Sequence, residues 1–147
     1  AADRRGHESG RGQACRDDGL GDGGVIGLAT YPNICDGFAE TPEKWSELVA
    51  YTVDLVGINH VGIGTDHSRN IKMSHLEWMR QGRWSRVTNY GAGSASRPGK
   101  IAEPDWLTTM RGFGLIADAL RSRGMTEEEV ASIMGGNWLR LYRQVFN

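Results

Sequence analysis

Asp66 is the residue of this 147-residue chain whose position best suits it to chemistry. It follows an apolar run, His60–Thr65 (HVGIGT), that reads as a buried strand. In α/β proteins the carboxyl ends of the strands face the ligand site. A carboxylate there can ligate a metal or take a proton from metal-bound water. Asp is equally common at strand-to-loop turns, where it only caps the loop, so position alone leaves both roles open. His67 comes next and can orient or bind a ligand. It lacks a partner at ligand spacing, so a solvated loop histidine is the plainer reading. His60 opens the same strand at the opposite end, where a structural role is expected. His75 reads as exposed, and His7 (GHESG) stands alone among polar residues. No histidine pair has H-x-H or H-E-x-x-H spacing. Cys15 and Cys35 form neither a disulfide scaffold nor a four-ligand zinc site by themselves.

The glycines suggest a nucleotide site only superficially. GDGGVIG and VGIGTD contain pieces of G-x-G-x-x-G, but that fingerprint must follow a strand and open a helix. Gly62 and Gly64 lie within a strand, whereas Gly21, Gly23 and Gly24 precede one. No P-loop and no G-x-S-x-G motif occurs.

The elements that must position Asp66 begin at residue 23. Residues 1–22 have almost no apolar periodicity. Only Cys15 and Leu20 are core candidates there, and loop or disorder is expected. Gly24–Thr30 (GVIGLAT) reads as a strand buried on both faces, and Tyr31-Pro32-Asn33 as a turn. A helix follows, with Thr41 as N-cap and Pro42 in its first turn. Its apolar face is Trp45, Leu48, Val49, Thr52 and Val56, and Gly57 ends it. The second strand then completes a βαβ unit of the kind that builds parallel sheets. Gly62 and Gly64 inside it point to close packing or a tight barrel interior.

Residues 67–104 read as a long connection. Met73–Arg83 has helical character, and 91–99 is loop. From Arg69 to Lys100 this connection carries Arg69, Lys72, Arg80, Arg83, Arg86, Arg97 and Lys100 against Glu77, with Trp78, Trp84 and Tyr90 interleaved. Such a basic lid attracts a carboxylate, or stacks single-stranded nucleic acid, or merely packs its tryptophans on a rim. Helices are expected over Leu115–Arg123, over a segment opened by a Thr126/Glu129 capping box and stopped by Gly135-Gly136, and from Asn137 onward. Asn137 is read as the cap of that last helix, and Leu139, Tyr142 and Phe146 line one side of it. Two strands cannot close a barrel or bury a sheet, so these residues read as part of a larger α/β domain.

Composition narrows the classes. The chain is 39% apolar and 24% charged, ordinary values for a globular domain. Its 17 basic and 18 acidic residues leave a net charge of −1, which argues against a broadly basic nucleic-acid binder. No apolar run approaches the ~18 residues of a membrane span, and the first residues lack the apolar core of a secretory signal. A cytoplasmic location is the resulting expectation.

Three segments together, GGVIGLATY (23–31), LVGINHVGIGTD (55–66) and TEEEVASIMGGNWLRLYRQVF (126–146), resemble the membrane or renal dipeptidase family, peptidase M19, of the amidohydrolase superfamily. The resemblance covers about residues 23–147 and is weakest in the middle connection. It implies a (β/α)8 TIM barrel of which this chain supplies about the last two strands plus the C-terminal helices, after an aberrant segment 1–22. It implies a zinc dipeptidase that hydrolyses a dipeptide through metal-activated water. Asp66 matches the acidic residue after the last strand, which takes a proton from that water and passes it to the departing amine. His67 stands where the family often has Phe, and is a candidate substrate-binding residue. Asn137 falls in the G-G-N segment, with a capping and packing role.

The two zinc ions are held in the family by an H-x-D pair after strand one, a Glu after strand three, and histidines after strands five and six. No residue of this chain inherits those roles. His7 stands too near Gly23, and Arg16 does not match the substrate arginine. The chain alone is therefore expected to be inactive. A dipeptide is the expected partner, with no nucleic acid and no membrane segment. Self-association stays open. The alternative is a non-catalytic binding or structural α/β module with a basic lid.

Overall fold

The computed structural model describes residues 23–35, 37–67, 72, 74–75 and 103–146. Residues 1–22, with His7, Cys15 and Leu20, lie outside them. So do most of the Met73–Arg83 helix, the 91–99 loop and nearly all of the basic lid.

Among the described residues the sheet has two strands. β1 (Ile26–Leu28) pairs in parallel with β2 (Val61–Ile63), setting Ile26 opposite Val61, Gly27 opposite Gly62 and Leu28 opposite Ile63. Both are shorter than the apolar runs that announce them. The pairing nevertheless continues past their ends, with Gly64 N–H donating to Leu28 O at 2.9 Å and Thr30 N–H to Thr65 O at 3.3 Å. His60 belongs to a 3-10 turn, Ile58–His60, that feeds β2. The expected burial of the first strand on both faces is corrected. Gly27 is exposed, because the helices cover the opposite side of the sheet.

Pro32 starts a short helix, α1 (Pro32–Cys35), where only a turn is expected. Its preset φ suits a first helical turn. The connecting helix α2 (Pro42–Val56) follows the reading closely. The Thr41 hydroxyl accepts from Lys44 N–H at 3.2 Å, Pro42 lies in the first turn, and Gly57 ends the helix at φ +91°. Trp45, Val49, Thr52 and Val56 are buried, as the spacing requires. Ser46 joins them and Leu48 does not reach full burial. Ser46 tolerates the interior because its hydroxyl donates to Glu43 O and accepts from Arg123 Nε, each at 2.6 Å.

After the long connection, a 3-10 turn (Asp105–Leu107) leads into α3 (Gly112–Ser122), which starts three residues before its expected beginning at Leu115. Gly124 closes it at φ +85°. The capping box forms as read in α4 (Glu127–Ala131), with Thr126 and Glu129 exchanging both bonds. Gly135-Gly136 does not stop the chain. A wide turn, Ser132–Gly136, carries it with a kink at Gly135 into α5 (Asn137–Val145). Asn137 is also not a cap: its backbone is helical and its side chain reaches across to β2.

Trp45, Val49, Val56, Val61, Ile116, Leu120, Val130 and Ile133 form one core. It lies where α2, α3, α4 and the wide turn meet the Val61 side of β2. Side chains alternate across a strand, so Gly27 and Gly62 face the other way. There the Trp138 indole comes so close that a Cβ on Gly62 would sit 2.5 Å from its Nε1. At Gly64 the obstacle is backbone, since its Cβ would meet Gly27 Cα and C at 2.9 Å. The close packing expected of Gly62 and Gly64 is thus present, against Trp138 and against the Gly27 backbone.

Candidate functional site

The two ends of the sheet are built differently. At the amino end the described side-chain bonds tie the strands in place. His60 Nδ1 lies 2.8 Å from Gly24 O, which bears out its structural role. The Asn137 amide donates to Ile58 O and Val61 O, both at 2.8 Å, and Arg140 donates to Gly23 O and Asn59 O. Asn137 therefore packs and tethers.

At the carboxyl end the polar groups serve first to hold the strand tips. Thr30 is fully buried and donates from both its N–H and its hydroxyl to Thr65 O. Ala29 O accepts from Trp45 Nε1 and from the Cys35 thiol, each at 2.9 Å. Burial pushes the Cys35 thiol up from its ordinary value, so it serves as a neutral donor.

Asp66 leaves this scaffold three residues past β2. Its side chain is exposed, and its backbone adopts φ +57°, alone among the described non-glycine residues. The structure thus puts the carboxylate at the strand tip and in the open.

His67 departs from expectation. Its side chain is only 7% exposed, so it is not a solvated loop histidine. The ring packs against Glu103, itself 12% exposed, with Nδ1 3.1 Å from Oε2. That is ion-pair distance for a protonated ring, although the groups are not aligned as a hydrogen bond. Glu103 is the residue that reading the chain missed. It lies across the whole long connection, and no spacing rule joins positions 67 and 103. It also borders a hollow of about 310 Å³ that Glu40 and Asp105 share. Lys44 pairs with Glu40 on the rim. His75 is exposed, as expected. Among the described residues, no group of three or more His, Cys, Asp or Glu side chains is placed to hold a metal ion.

The architecture defines a helix-rich α/β protein with a two-stranded parallel sheet and a carboxylate at the strand tips. A chain of this kind is found in a solved structure. The protein is similar to an amidohydrolase from Pseudomonas aeruginosa, at 28% identity and a TM-score of 0.64, over 84% of this chain and 36% of that one. It therefore spans about a third of the length of that protein. No family model matches the chain, and no curated protein matches it. Among the described residues no helix is long and apolar enough to cross a membrane.

Proposed function

We propose that this chain forms the C-terminal part of a hydrolase of the amidohydrolase superfamily, a barrel enzyme of the zinc dipeptidase type, in which Asp66 manages the proton of the hydrolytic water. The observation that carries this reading is the carboxylate at the carboxyl tip of a βαβ unit, in a chain 28% identical to an amidohydrolase over most of its length. Two features support the barrel. Among the described residues, the crossover helix and its neighbours pack on one face of the sheet, and the other face is glycine (Gly27, Gly62, Gly64) under the Trp138 indole. A closed barrel turns one face of each strand inward and covers the other with helices.

The described residues do not fit a zinc pair by themselves, since they bring together no three ligands. The two ions belong to the proposed whole enzyme. What this chain supplies is the base. An exposed carboxylate accepts a proton from water attacking an amide carbonyl, then protonates the departing amine. Dipeptides are the proposed substrate class, on the likeness of the three segments to the dipeptidase family.

The test is a chimera in which residues 23–147 replace the matching third of the Pseudomonas aeruginosa protein, assayed on Gly-Xaa and Xaa-D-Ala dipeptides with and without zinc. Zinc-dependent turnover is expected, and Asp66→Asn should lower it by about 10²–10⁴-fold. Full turnover in the Asn variant refutes the role of Asp66. Robust zinc-dependent turnover by the 147-residue chain alone would overturn the partial-barrel reading.

A further inference from the structure

Asp66 holds a backbone conformation that an L-residue adopts at a steric cost, although Asp bears it better than most. Such conformers persist where the surroundings over-determine them, and they gather at functional sites. The surroundings of Asp66 do this from both sides. Before it, Thr65 O is held by two bonds from the buried Thr30. After it, His67 N–H donates to Thr65 Oγ1 at 3.2 Å, closing a tight loop around Asp66. The His67 ring is then buried against Glu103, 3.1 Å away. Glu103 in turn is seated by its neighbours. Leu107 is fully buried with its N–H on Pro104 O, and Trp106 Nε1 donates to Ala39 O at 2.8 Å.

We propose that His67 and Glu103 are positioning residues: their contact clasps the far end of the long connection to the tip of β2 and keeps Asp66 left-handed, with its carboxylate in the open. A His67 ring free to leave Glu103 would let the peptide after Asp66 rotate to the ordinary negative φ, turning the carboxylate away from its present direction. The proposal deepens the reading of Asp66 as the proton-handling group and rests on it for its functional meaning.

The experiment uses the whole chain, labelled with ¹⁵N and ¹³C, and reads the intraresidue HN–Hα nuclear Overhauser effect of Asp66, which is strong only at positive φ. The Trp138 indole N–H, bonded to Ile63 O, reports whether the sheet is intact. Wild type should show the strong effect. His67→Ala and Glu103→Gln should each weaken it severalfold while the Trp138 signal stays in place. An undiminished effect in both variants, or its absence in wild type, overturns the proposal. If His67→Ala loses the Trp138 signal, Glu103→Gln decides, because it keeps the side-chain volume and removes the charge; an unchanged Asp66 effect there refutes the clasp. An inactive chimera with these spectral changes present would remove the hydrolase reading and leave the clasp standing.

Discussion

The two faces of the sheet solve the same burial problem by different means. On the Val61 face, four helical segments contribute large apolar side chains, and Trp45, Val49, Ile116, Leu120 and Ile133 lose all exposure. On the glycine face, strand backbones and one indole approach each other with no room for a methyl group at Gly62 or Gly64. The helix that carries that indole, α5, leaves Leu139, Tyr142 and Val145 exposed, and Phe146 just beyond it. One face is stabilised by apolar area removed from water, which tolerates modest changes of shape. The other depends on the absence of side chains, which tolerates none.

Substitutions can break this contrast. The largest effect is expected at Trp45, the biggest fully buried side chain among the described residues, whose indole also donates to Ala29 O. Trp45→Ala should cost about 3–5 kcal/mol, measured by urea unfolding. A loss of only a few tenths would mean that the helical face is not the core. Gly64→Ala comes next, at about 1–3 kcal/mol, because the added methyl meets backbone that cannot swing aside. Gly62→Ala sharpens the point. Its neighbour is the Trp138 side chain, so its penalty should shrink in a Trp138→Ala background while that of Gly64→Ala does not. Equal behaviour of the two glycines would remove the distinction between backbone and side-chain crowding.

The smallest effect belongs to the exposed rim of the helical face, where Arg121 donates to both carboxylate oxygens of Glu127. Those hydrogen bonds and the guanidinium charge hold the Glu127 carboxyl below its ordinary value. A depressed carboxyl adds stability above the unfolded-state titration range, and loses it as pH falls through the lowered value. The difference in urea midpoint between wild type and Glu127→Gln should therefore be small at neutral pH and vanish on acidification. A difference that grows with acid would show that the pair does not act through charge. Solvent screening keeps the whole effect minor.

Much of the local structure was legible because its causes are local. Thr41 with Pro42, and Thr126 with Glu129, place two helix starts by hydrogen-bond chemistry confined to one turn. Gly57 and Gly124 mark helix ends because only glycine accepts those backbone angles cheaply. The misreadings arise where a residue has two local meanings. Asn137 is a good cap by type, yet its amide finds two strand carbonyls instead. Gly135-Gly136 can end a helix or kink it, and the packing of Ile133 on one side and the tether of Asn137 on the other fit the kink. His67 reads as solvated from sequence because its partner, Glu103, stands far away along the chain.

The order of residues by itself determined the βαβ unit, the helix boundaries set by caps and glycines, and the position of Asp66 just beyond a strand, since each follows from periodicity and backbone sterics over a few residues. Only the tertiary structure decided which face of the sheet the glycines occupy, that Glu103 returns to His67, and that Asp66 stands left-handed in the open. Those depend on contacts between segments distant along the chain, whose meeting is settled by the packing of the core and not by any neighbouring residue.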